Sequence, residues 1–175
     1  MRYLFVLLAA VHVSAFGASP TPRAAAEAFY RWVIAYDSPG LPSARQRQQL
    51  TRLLTPDLVG LLAAASVAER RCVANLPPDM KGDIWEGNPF VSNYEGASAA
   101  RYGASRVKGR DVIVEVDLLD VDRQRPKGDP NRNYSWRDSV LLKKESEGWL
   151  VADVYRRGSL RGMLRDYIDH GCGRG

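Results

Sequence analysis

The stretch YSWRDSVLLKKESEGWLVADVY, residues 134–155, alternates apolar and polar side chains on both sides of a short polar break. Alternation with a period of two is the mark of a half-buried strand, and a break of this length between two such runs predicts a β-hairpin. The strands are read as 134–144 and 149–155, with the turn at 145–148. Pairing Lys144 with Trp149 places Leu142 opposite Val151, Val140 opposite Asp153 and Asp138 opposite Tyr155. Trp136, Asp138, Asp153 and Tyr155 are then expected on one sheet face. A slip of one residue would turn one strand over and part the two carboxylates.

Upstream of this hairpin the period is also two. Residues 104–107 and 112–119 read as a second hairpin with its turn at 108–110. The polar segment 120–132 joins the two, and its aspartates lack the spacing and turn glycine of a calcium loop. The first half of the chain has a different period. Thr21-Pro22 and Thr55-Pro56 are helix starts, a hydroxyl cap followed by a proline at the first helical position. Ala25, Ala28, Phe29, Trp32, Val33 and Tyr36 form the apolar stripe of a first helix, and Leu58, Leu61, Leu62, Ala65 and Cys72 that of a third reaching about Ala74. A second helix is expected over 43–54. Ser159 caps a last one whose stripe is Leu160, Met163, Leu164, Tyr167 and Ile168. Helices followed by antiparallel strands predict an α+β fold, with N-terminal helices packed on a strongly curved antiparallel sheet and a short C-terminal helix.

With 175 residues, 45% of them hydrophobic and 26% charged, the chain is sized for one well-packed core. Arg2, an apolar run over 4–13 and small residues over 14–19 read as a secretory signal peptide. Its apolar run is about half of what a membrane-spanning helix needs, so no stable membrane anchor is expected. The boundaries are therefore a signal peptide over 1–17, a single domain over 21–170 and a flexible tail over 171–175, in a protein sent to the periplasm or the medium. Loss of residues 1–17 removes Arg2 and no acid, leaving 24 basic against 20 acidic residues. The basic residues are scattered and not interleaved with aromatics, so no nucleic-acid surface is expected. Cys72 and Cys172 are expected to pair in an oxidising compartment.

Between the two halves lies KGDIWEGNPFVSNYEG, residues 81–96. It follows neither period. Trp85, Phe90 and Tyr94, with Glu86, Asn88 and Glu95, stand among turn residues in a loop long enough to be functional. The loop is expected to rim a cavity whose wall is the last hairpin. The aromatics either stack on a ligand there, with Glu86, Asn88 and Glu95 supplying hydrogen bonds, or plug the open end of the core.

The order of elements, the segment EGNPFVSNYEG and the run WRDSVLLKKESEGWLVADVYRRGSL resemble the nuclear transport factor 2-like superfamily. Within it they resemble the exported bacterial family labelled domain of unknown function 3828. The resemblance spans about residues 21–164. It implies a cone-shaped α+β fold of the cystatin-like kind with a pocket, often dimeric, and no particular chemistry.

Several chemistries are disfavoured by the residues themselves. After export the only histidine is His170, in the tail, so histidine-assisted nucleophiles and His/Cys zinc sites lack their parts. No phosphate-binding glycine loop is present, and neither cofactor nor metal is expected. Asp138, Asp153 and Tyr155 remain as acid–base candidates for a proton-transfer enzyme of the isomerase or dehydratase kind. The competing reading has both carboxylates bonded to loop backbone or paired with Arg137, Arg156 or Arg157. The leading expectation is a non-enzymatic binding domain. It would take a small molecule, a peptide or an envelope protein at Trp85, Glu86, Asn88, Phe90, Tyr94, Glu95, Asp138, Asp153 and Tyr155. The third alternative is a secreted inhibitor or immunity-type protein acting through a protruding loop.

Overall fold

The computed structural model describes residues 20–36, 38–75 and 85–170. The proposed signal peptide, the start of the 81–96 loop with Asp83, and Cys172 lie outside the described residues. The element order is α1 (Pro22–Tyr36), α2 (Ala44–Leu50), α3 (Pro56–Ala74), β1 (Ala99–Lys108), β2 (Asp111–Val121), β3 (Asn133–Glu145), β4 (Gly148–Tyr155) and α4 (Leu160–His170). The four strands form one antiparallel sheet in the order β1-β2-β3-β4, which makes the domain α+β with a C-terminal helix as read.

One sheet face is apolar because every second residue of β2 and β3 is. Val114, Val116, Leu118, Val140 and Leu142 are buried there, with Val151 and Val154 of β4. They pack against Ala26, Phe29, Tyr30 and Val33 of α1, Leu58, Leu62 and Ala65 of α3, and Leu160 and Leu164 of α4. The α1 stripe is rotated from the expected one: Tyr30 is fully buried and Trp32 only half so. Tyr30 has an aromatic partner on the sheet, Tyr102, because β1 begins at Ala99 and not at 104.

The second helix ends at Leu50, four residues before its expected end, with Ser43 and Gln46 forming a capping box at its start. Its continuation is used elsewhere. Val151 N–H donates to the Leu53 carbonyl (2.8 Å) and Thr55 N–H to that of Val151 (2.9 Å), so this segment closes the outer edge of β4. Thr55 caps α3 by position only, its buried hydroxyl having no partner among the described residues.

The last hairpin departs from the alternation at one residue. Lys144 faces Trp149 and Leu142 faces Val151, as read, around a tighter turn in which Glu145 pairs with Gly148. Ala152 is then extra. Leu141 faces Asp153, Val140 faces Val154 and Ser139 faces Tyr155. Such a bulge puts two residues opposite one and reverses the inside-outside sense of the strand beyond it. Asp153 and Tyr155 therefore lie on the face opposite to Trp136 and Asp138, which corrects the shared face expected from alternation.

Candidate functional site

The described part of the loop, 85–96, is mostly interior. The Trp85 N–H donates to Glu69 Oε1 (2.8 Å), its ring meets Tyr167 edge-on (5.5 Å between centroids), and the Arg156 guanidinium lies 5.9 Å over it. Asn88 Oδ1 accepts from the Phe90 N–H (2.9 Å), a local Asx turn that fixes the bend before Phe90. The fully buried Phe90 ring sits among Phe29, Trp32 and Tyr36, edge-on to each at 5.5, 5.8 and 6.3 Å. Of the two roles expected for the aromatics, Trp85 and Phe90 take the plug. Gly87 has φ +71°, and a Cβ there would stand 3.2 Å from the Tyr94 ring, so this ring rests on a backbone that only glycine suits. Tyr94 is 61% exposed, and Glu86 and Glu95 beside it are exposed as well.

Both candidate carboxylates are occupied. Asp138, 3% exposed, accepts from the Ser92 N–H (2.9 Å), from the Ser92 hydroxyl, and from Trp136 Nε1 (3.2 Å). It ties the loop to β3. Asp153, 4% exposed, accepts from its neighbour Val154 N–H (2.9 Å), the Ser159 hydroxyl (2.6 Å) and the Arg161 N–H (3.0 Å), and so anchors the start of α4. No hydrogen bond or ion pair joins either carboxylate to an arginine side chain among the described residues. Their partners are the loop-backbone groups that the competing reading named, together with hydroxyls and an indole. Asp153→Ala is expected to lower stability by about 2 kcal/mol, the upper end of what loss of a helix cap costs. Urea unfolding followed by circular dichroism measures it.

The sequence did not single out Ser92, Glu69 or Tyr30. Each is defined by a partner far along the chain. Arg156, weighed only as a counter-ion for a carboxylate, donates instead to the carbonyls of Asn88 (3.3 Å) and Pro89 (3.0 Å). Its burial lowers its pKa from the ordinary arginine value, against the pull of Asp138. Tyr30 is fully buried and its hydroxyl has no partner among the described residues. Burial first, then nearby Asp138 and Tyr102, pushes its pKa well up. Tyr102 is pushed up to about 12, mainly by desolvation. These phenols stay neutral at physiological pH. Tyr155 is half-buried on the outer face with Lys108 Nζ 6.0 Å over its ring.

Two clefts flank the exposed knuckle of the loop. One of about 170 Å³ is lined by Ser38, Pro39, Asn88, Tyr94, Glu95 and Gly96. The other, about 830 Å³, runs from Ile34 and Glu95 past Ser98 to Asp120, Asp122 and Gln124. Glu95 is common to both, so the two clefts adjoin at the rim, and the larger is called the rim groove below. Neither is lined by Asp138, Asp153 or Tyr155. Among the described residues no three His, Cys, Asp or Glu side chains are placed to hold a metal ion.

No family model and no curated protein matches the chain. Among solved structures it is similar to a chain of the type VI native effector-immunity complex Tae3-Tai3 from Ralstonia pickettii. The identity is 19% and the TM-score 0.47, over 78% of this chain and 95% of that one. It is similar also to a chain of the SeMet form of that complex, at 20% identity and a TM-score of 0.45, over 78% and 96%. Likeness at this level assigns neither an activity nor a partner to this chain.

Proposed function

We propose that this is an exported, non-catalytic binding protein that engages a protein partner through the rim groove and the Tyr94–Glu95 knuckle, in the manner of an inhibitor or immunity-type protein. One observation carries the reading: the loop is held from three elements, by Glu69 of α3, Asp138 of β3 and Arg156 just after β4, while Tyr94 and Glu95 at its tip stay exposed. A tyrosine on an immobilised backbone offers contact area at little cost in ordering, which favours binding. The carboxylates that an enzyme would need are already bonded, Asp138 to the loop and Asp153 to the start of α4. Glu95, Asp120 and Asp122 line the clefts against the single basic residue Arg123, an acidic balance that favours a partner with basic groups at its rim. The nuclear transport factor 2-like ancestry and the passage to the periplasm or medium belong to the same proposal, as does the Cys72–Cys172 bridge. Cys72 is 5% exposed on α3, and no cysteine among the described residues is free.

A photoreactive amino acid placed at position 94, in cells that make the protein, tests it. A discrete protein adduct is expected there, and none from position 137 on the outer sheet face. The Glu95→Lys/Asp122→Lys variant should weaken the adduct about tenfold or more. Equal labelling from 137, or an adduct indifferent to those charges, would overturn the reading.

A further inference from the structure

The two edges of the sheet are treated differently by the chain. The β4 edge is closed by the Leu53–Thr55 backbone. The β1 edge pairs with no further strand and carries no bridge among the described residues, and from Gly103 to Lys108 all of β1 is exposed. Half of the N–H and C=O groups of an edge strand point away from the sheet, ready to pair with another extended chain. Open edges of this kind are where peptides add as a further strand.

The side chains along the edge say which peptide fits. Arg101 pairs with Asp117, Arg106 with Ile113 and Lys108 with Asp111, so all three basic residues share the outer face, and Arg110 follows in the turn. On the other face stand Ala100, Tyr102, Ser105 and Val107, small or apolar, with Val107 78% exposed. The shift of register between Tyr102 and Ser105 keeps the basic residues together on their side. A second copy of β1 laid antiparallel on this edge would bring Arg and Lys against Arg and Lys, which opposes self-pairing. We infer that the β1 edge is a docking site for an extended acidic segment of another protein, one that alternates Asp or Glu with apolar residues. It adds as a fifth strand with its acids beside Arg101, Arg106 and Lys108. The site is separate from the rim groove and stands or falls without it.

The test uses the full processed chain and an eight-residue peptide alternating valine and glutamate. Two controls accompany it: a peptide of the same composition with the glutamates in one block, and the alternating peptide methylated at every second backbone nitrogen. Amide chemical shifts of the protein are followed by NMR at low and moderate salt. The alternating peptide should shift the 99–108 amides, and the Arg106→Glu/Lys108→Glu variant should weaken it about tenfold or more, with both controls weakened as far. That variant changes only exposed side chains, and its thermal midpoint checks that it folds. Shifts confined to the rim, equal binding of the blocked or methylated peptide, or a dimer formed through β1 without peptide would each overturn the inference.

Discussion

Asp138→Ala is expected to cost about 3 to 5 kcal/mol, enough to lower the thermal midpoint by on the order of 10 °C. The carboxylate is buried and serves three donors, the Ser92 N–H, the Ser92 hydroxyl and the Trp136 indole. Truncation leaves all three donors, part-buried between the loop and β3, without their acceptor. Leaving a buried group unsatisfied costs about 1 to 3 kcal/mol, more than the net worth of the bond it made. The loop should loosen before the sheet does. Amide exchange at 88–96 is expected to accelerate in the variant at temperatures where β2 and β3 remain protected. Asp138→Asn, which keeps an acceptor oxygen, should recover a large part of the loss. A variant as stable as the parent would show that the loop is held elsewhere.

Cys72→Ala/Cys172→Ala is expected to cost about 4 to 5 kcal/mol, the chain-entropy value for a closed loop of about 100 residues. The helices support the pairing. Arg161 in the first turn of α4 reaches Asp57 in the first turn of α3 (3.7 Å), and the two helices pack together, so their C-terminal ends lie on the same side of the domain. Cys72 is two residues from the end of α3, and Cys172 follows the last residue of α4 by two in the sequence. Reduction should lower the thermal midpoint of the parent by about as much as the double substitution does. Maleimide labelling of both cysteines in the unreduced, denatured protein would remove the bridge from the account.

The α+β class was legible because the change of period between the two halves of the chain is sharp. So was half of the last hairpin, from the turn to Leu142 and Val151. The other half was not. The sequence VADVY alternates acceptably in either sense, and nothing in it marks Ala152 as the residue that drops out of register. Residues 99–103 went unread as strand since AARYG has little β-propensity, and their pairing with β2 supplies what propensity lacks. The end of the second helix was misplaced for a related reason: Leu53 and Leu54 continue its apolar pattern, but their backbone pairs with β4. Residue type pointed to Trp85 and Phe90 in the loop and to Asp138 on β3 without fixing their duty. An aromatic ring and a buried acid look the same in sequence whether they meet a ligand or the protein's own interior.

The division of labour within 85–96 has a consequence for how such a protein can change over generations. Residues that hold the loop face inward, toward Phe29, Glu69, Asp138 and Arg156, while Glu86, Tyr94 and Glu95 face outward and bear little of the fold's stability. Substitutions at these three surface positions can therefore accumulate with small effect on folding. Under the proposed function, a lineage carrying this scaffold is free to track a changing partner by altering the outward residues alone, with the anchoring set left as it is.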